Sequence, residues 1–191
     1  GAGMYPIEEM YISTPPKDSY RPQWYTLDGV IARCPALRRI GVSFLPVAST
    51  EDMESEAFFR ACAQARVERL VVTHHSLTDS HIVFMSNYSE LLLYNCAQLG
   101  DHSFTALARN NPFLRVLHVH KAGPACVHRS PLTLTHRALL VMLEQCPLLH
   151  TVEFMFYPAD AKEAHVHAHS MFMYMLRKLY PRVTNFVCNV V

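Results

Sequence analysis

The spacing L-x-x-L-x-L, with any apolar residue at the L positions, recurs seven times and limits the possible folds more than any other feature. It runs through Ile7-x-x-Met10-x-Ile12, Leu37-x-x-Ile40-x-Val42, Val67-x-x-Leu70-x-Val72 and Tyr88-x-x-Leu91-x-Leu93. It continues through Leu114-x-x-Leu117-x-Val119, Leu149-x-x-Val152-x-Phe154 and Val183-x-x-Phe186-x-Cys188. The matches start at residues 7, 37, 67, 88, 114, 149 and 183, so successive starts lie 30, 30, 21, 26, 35 and 34 residues apart. Side chains alternate along a strand, so each match reads as a short strand with its patterned residues on one face. One strand and one helix cannot bury a core alone, so units of this length must stack on their neighbours.

The intervals carry helix signals. Thr26-Leu27-Asp28 opens an apolar run ending at Cys34-Pro35, where proline stops a helix. Ser55 is placed to cap a helix bearing Phe58, Phe59 and Cys62, and Asp101 one bearing Phe104, Leu107 and Ala108 before Asn110-Asn111-Pro112. Thr135 is placed to cap a helix bearing Leu139, Met142 and Leu143 before Cys146-Pro147. A last helix, about Ala161 to Leu179, carries Met171, Met175 and Leu179 at i, i+4 and i+8, and these are expected to pack into the core. KAGPACVHRSPL, residues 121–132, reads as an inserted surface loop of the kind that often carries contacts.

The unit YSELLLYNCAQLGDHSFTALARNNPFLRVL, residues 88–117, holds Leu91-x-Leu93-x-x-Cys96-x-x-Leu99 followed by a helix. Cys-Pro precedes the strand in CPALRRI (34–40) and CPLLHTV (146–152), and SLTDSHI (76–82) and LTLTHRALL (132–140) open helices. In these features the chain resembles leucine-rich-repeat proteins, especially the cysteine-containing repeats of F-box/leucine-rich-repeat proteins. Only Cys96 fills the repeat's Asn/Cys position well. The resemblance implies an α/β fold: a right-handed leucine-rich-repeat solenoid, a horseshoe arc of about seven strands. Its parallel sheet forms the concave face and its helices the convex face. It also implies a protein-interaction module, with substrate recognition for a Skp1–cullin–F-box ubiquitin ligase as one role. No F-box is recognisable in the first 36 residues, so such an adaptor would carry it elsewhere. A scaffold or assembly subunit unrelated to ubiquitin is the alternative.

Composition narrows the partner. The chain is 50% hydrophobic and 17% charged with a net charge of +1, which supplies a core and argues against disorder. It has no basic run for nucleic acid and no apolar run of about 18 residues for a membrane span. None of the six cysteines forms a CxxC pair. Reduced, mostly buried thiols in a cytoplasmic or nuclear protein are therefore expected. Gly1-Ala2-Gly3 reads as an expression scar, and residues 4–191 as a single domain that is part of a longer protein. The seventh strand should present an open edge, covered by more of that protein, a partner or a second copy.

Residues between the patterned ones face away from the core and align in three columns about 4.8 Å apart between strands. The first is Glu9, Arg39, Arg69, Glu90, Val116, Thr151 and Asn185, in which Glu9 can pair with Arg39 and Arg69 with Glu90. The second is Tyr11, Gly41, Val71, Leu92, His118, Glu153 and Val187. The third is Ser13, Ser43, Thr73, Tyr94, His120, Met155 and Asn189. Val71, Leu92, Tyr94 and Met155 beside His118, His120 and Glu153 form the candidate partner-binding site, aromatic and apolar with a polar margin. Unperturbed imidazoles would make binding there change between about pH 7.5 and 5.5.

The twelve histidines raise a metal question. His118, His120 and Glu153 could supply a His₂Glu set, but i and i+2 residues on a strand sit about 6–7 Å apart, wide for one ion. AHVHAHS, residues 164–170, puts His165 and His169 one helical turn apart, or His165, His167 and His169 on one face of a strand. A metal-binding protein using clustered histidines is the third reading, set behind the two interaction roles. No nucleophile elbow, P-loop, dinucleotide loop or HExxH motif is present, so no catalysis and no cofactor are expected.

Overall fold

A computed structural model describes residues 4–13, 25–43, 52–73, 77–94, 99–120, 136–156 and 163–190. Strands and helices alternate along these residues: β1 (Glu9–Ile12), α1 (Tyr25–Ala32), β2 (Arg39–Val42), α2 (Asp52–Gln64), β3 (Arg69–Thr73), α3 (Asp79–Ile82) and β4 (Glu90–Tyr94). Then come α4 (Asp101–Asn110), β5 (Val116–His120), α5 (His136–Gln145), β6 (Thr151–Phe156), α6 (Glu163–Leu179) and β7 (Asn185–Val190). The strands form one seven-stranded, all-parallel sheet in chain order β1 to β7. Parallel neighbours need a crossover, and the helices supply it.

The register follows the repeat. Glu9, Arg39, Arg69, Glu90, Val116, Thr151 and Asn185 lie side by side across all seven strands. Each junction is also stitched one residue before the strand. The carbonyls of Glu8, Arg38, Glu68, Ser89, Arg115 and His150 each accept from two successive N–H groups of the next unit, at 2.7–3.2 Å. On one face Ile40, Val42, Leu70, Val72, Leu91, Leu93, Leu117, Val119, Val152 and Phe154 are buried. They join Ile31, Phe59, Phe104, Leu107, Leu139 and Met142 from the helices in one core. The end units are less covered: Ile7, Met10 and Ile12, and Val183 and Phe186, are only partly buried.

A recurring turn delivers each helix to its strand. In Cys34-Pro35-Ala36-Leu37, Asn111-Pro112-Phe113-Leu114, Cys146-Pro147-Leu148-Leu149 and Tyr180-Pro181-Arg182-Val183, the fourth N–H donates to the first carbonyl at 3.0–3.1 Å. Proline ends the helix because it lacks an N–H. The α2 exit has no proline. It turns instead through Arg66 at φ 57, with Val67 N–H donating to the Cys62 carbonyl at 3.0 Å.

In three of these turns the first position is a buried slot, filled by Cys34, Asn111 and Cys146, while Tyr180 is partly buried. Asn111 makes it a polar hub. Its Nδ2 donates to the carbonyls of Met85 at 3.0 Å and Leu107 at 2.8 Å, and its Oδ1 accepts from Tyr88 N–H at 2.9 Å. One side chain thus satisfies three buried backbone groups from three segments.

Several helix expectations need correction. The first helix ends at Ala32, before Cys34, because the proline turn takes up the intervening residues. Ser55 is not a cap: α2 begins at Asp52 and contains it. Gly100 is the N-cap of α4, and Asp101 is its first residue, where its charge favours the helix dipole. The largest correction is in α6. Met171, Met175 and Leu179 are exposed, while Leu176 is buried and Phe172, Met173 and Tyr180 pack partly on the core. Residues 121–132, Cys96, Cys126, Thr135 and His74-His75 lie outside the described residues.

Candidate binding face on the sheet

The sheet face away from the core carries the alternate residues of every strand. Among those whose side chains are described, all are partly exposed or exposed apart from Gly41 and Leu92, which are buried. At the β1 end the Tyr11 ring lies over Gly41, so close that a Cβ there would sit 2.4 Å from ring Cε1. The aromatic ring thereby covers backbone that a glycine leaves bare.

The first column is ionic where the sequence placed it. Arg39 Nη1 lies 3.7 Å from Glu9 Oε2, and Arg69 Nε lies 3.6 Å from Glu90 Oε2. Exposed pairs at such distances contribute about 0–1 kcal/mol each. Arg69 differs from Arg39 because its Nε is buried and makes no hydrogen bond. Its charge bears on the neighbouring columns.

The seven candidate residues share four adjacent strands. Val71, Leu92, His118 and Glu153 align across β3 to β6, and Tyr94, His120 and Met155 align across β4 to β6. Glu153 sits between two imidazoles. His118 Nδ1 is 3.3 Å from Glu153 Oε2, and His120 Nε2 is 3.0 Å from Glu153 Oε1. The closer contact is off-axis, since buried His120 Nε2 makes no hydrogen bond there despite its distance. Tyr94 meets His120 edge to face, with ring centres 4.8 Å apart and planes at 87°. Leu92 exposes only 7% of its surface, so it supports the patch from beneath rather than offering an apolar anchor. The reachable groups are Tyr94, His118, His120, Glu153, Met155 and Val71.

Electrostatics tune this set. Burial pushes the His118 pKa below the ordinary histidine value. Glu153 and Glu90 oppose that shift, while His120 and Arg69 add to it. The imidazole is therefore neutral at pH 7, and its response to acid falls below the range expected for a free histidine. Burial and the Glu153 carboxylate raise the Tyr94 pKa, against Arg69. Tyr94 stays a phenol that can donate a hydrogen bond.

Sequence reading missed the reach of Arg69, which it assigned to a surface ion pair. Its position one strand from both Leu92 and Tyr94 was the available signal. It also missed the Tyr11–Gly41 cover, which the shared column could have suggested.

Among the described residues, no group of three or more His, Cys, Asp or Glu side chains is placed to hold a metal ion. His165, His167 and His169 lie in α6, with 165 and 169 one turn apart, but their side chains are outside the described residues. Cys34, Cys62 and Cys146 are free and buried. Burial pushes Cys62 up to about 12 and Cys146 up to about 11, so both are thiols rather than nucleophilic thiolates at neutral pH. A cleft of about 430 Å³ on the helical side is lined by Ile31, Ala32, Pro35, Arg38, Ala61, Gln64, Ala65 and Arg66. Its described lining residues include no His, Cys, Asp or Glu. No helix among the described residues is long and apolar enough to cross a membrane. Comparison with protein-family models finds no match, and comparison with curated proteins finds none at a significant level.

Proposed function

We propose that the chain is a protein-interaction module, a leucine-rich-repeat arc that binds a protein partner across the sheet face of β3 to β6. One observation carries this reading. The strand register gathers Tyr94, His120 and Met155 beside His118 and Glu153 on one partly exposed surface. An aromatic and a thioether flanked by hydrogen-bonding groups is the composition of protein interfaces. The parallel sheet in chain order, with a helix in every crossover, supports the repeat-arc geometry.

The test is a doubly substituted full-length chain, Tyr94→Ala with Met155→Asp, purified from cells beside the wild type. Loss of a co-purifying protein, with unchanged circular dichroism and melting, supports the reading. Retention of every partner by the folded variant removes it. The Cys34-Pro35 and Cys146-Pro147 turns favour the F-box/leucine-rich-repeat class within this reading. Recovery of Skp1 and cullin with the native protein supports the ligase-adaptor role; partners without them indicate a scaffold instead.

A further inference from the structure

The turns that carry each helix into its strand lie along one edge of the sheet, because the strands are parallel and follow chain order. That edge collects cations that are scattered in the sequence. Arg33 follows α1 and Arg66 follows α2, while Arg109, Arg177 and Lys178 stand in the last turns of α4 and α6. Arg115 immediately precedes β5. All six are exposed. Neighbouring strands are about 4.8 Å apart, so these charges share one strip although no basic run marks them in the sequence.

Two further arginines at this edge show what a structural role looks like there. Arg38 Nη1 donates to the carbonyls of Pro35 at 3.3 Å, Leu37 at 3.0 Å and Ala65 at 3.4 Å, and its Nε lies 3.8 Å from Glu68 Oε1. Arg182 Nη2 donates to the carbonyls of Leu143 and Cys146, and its guanidinium lies over the Tyr180 ring. Both are partly buried, and each ties its own turn to a neighbouring one. The six exposed cations differ. Among the described residues they bond to no carbonyl and pair with no acid, and Lys178 Nζ rests 4.6 Å from the Tyr174 ring centre. A cation at a helix end is favoured by the helix dipole, but that does not account for Arg115, which leads into a strand.

We propose that this strand-entry edge is a docking surface for an acidic peptide segment of a protein partner, one whose Asp or Glu residues flank an apolar side chain. Charge complementarity selects the acid. Five of the six cations are arginines, whose planar fork matches a carboxylate. The apolar residue has its own seat. Phe113 and Leu148 hold the same position in the α4 and α5 exit turns, and they are 64% and 45% exposed. The interruptions in the strip favour a peptide over a nucleic acid. Glu68 and Glu144 are exposed on the same edge, and a phosphodiester strand, charged at every step, would set phosphates against them. A peptide can place carboxylates opposite the arginines alone. This edge is distinct from the sheet face, and the proposal does not depend on the function of that face.

The test uses the full chain and two fluorescent peptides that share a central Leu in an Ala/Ser frame, one flanked by Glu and the other by Gln. Fluorescence anisotropy should show the Glu peptide binding about tenfold tighter than the Gln peptide, with an affinity that falls as salt rises. Arg109→Glu with Arg115→Glu should remove that preference, and Phe113→Ser should weaken the Glu peptide while leaving its salt dependence unchanged. Arg137→Glu, at the start of α5 and so on the opposite edge, should leave binding as it is. All these residues are exposed, and circular dichroism with melting checks that each variant folds. Equal binding of the two peptides, or no binding of either, overturns the proposal. An equal loss in Arg137→Glu also overturns it, since net charge alone would then explain the binding. Binding of a single-stranded oligonucleotide or of anionic vesicles, but not of the Glu peptide, overturns it too and assigns the edge to nucleic acid or to a lipid surface.

Discussion

The α5–β6 and α6–β7 units leave their helices through the same proline turn and place their strands in the same register, yet they bury different side chains. In α5, Leu139, Met142 and Leu143 are all fully covered. In α6 the matched residues are Met173, Leu176 and Arg177, of which only Leu176 is buried. The difference teaches that burial here belongs to the array rather than to the unit. A strand and a helix set which side chains point inward, but neighbours on both sides decide which stay dry.

The strongest way to break this comparison is to truncate matched positions. Leu143→Ala should cost about 2–5 kcal/mol, because a buried leucine leaves a cavity that its surroundings only partly fill. Arg177→Ala, at the matched position in α6, should stay within about 0.5 kcal/mol. Urea unfolding followed by circular dichroism measures both. Similar losses at the two sites would show that α6 is covered in solution and that the contrast is false.

The contrast also explains what could be read in the sequence. The L-x-x-L-x-L frame has one solution for each strand, since a shift of one residue would turn Leu91 and Leu93 to the solvent and Glu90 to the core. All three outward columns follow from it. The phase of α6 was not legible in this way. Met171, Met175 and Leu179 share the i, i+4, i+8 spacing of Phe172, Leu176 and Tyr180, so periodicity alone cannot say which set faces inward. The turn register resolves it, because Pro181 aligns Leu176 with the buried Leu107 and Met142. The burial of Leu92 was likewise unreadable, since a column position says where a side chain points and not what surrounds it. Asn111 was read only as part of a helix end. Its place in the slot used by Cys34 and Cys146 was the missed sign of burial.

That slot sharpens the comparison at its polar point. Asn111→Ala removes the partner of Tyr88 N–H and of the Met85 carbonyl, both otherwise held by this side chain. A buried group left without a partner costs about 1–3 kcal/mol, so the loss should be near the lower end of the Leu143→Ala range. Hydrogen exchange should localise it, with faster exchange at Tyr88 N–H and around α4 than at β7. A uniform change along the chain would mean that Asn111 fills space rather than ties three segments together.

The smallest effect is expected at the sheet face, at the partly exposed imidazole of His118. His118 has a lower pKa in the folded chain than the ordinary value near 6.5, chiefly through burial. As pH falls, the unfolded chain takes up this proton first, so unfolding becomes relatively easier. The contribution of neutral His118 is complete above the unfolded pKa. It is lost as pH falls through that value toward the folded pKa, below which no further loss occurs. His118→Gln removes the proton while keeping a polar side chain of similar reach. Its urea midpoint should therefore fall less steeply than that of the wild type between about pH 7.5 and 5.5. Glu153 and Glu90 favour the protonated ring, whereas burial, His120 and Arg69 oppose it. A wild type that gains stability relative to His118→Gln on acidification would show that the carboxylates win, making the face a place where protonation locks Glu153 rather than frees it.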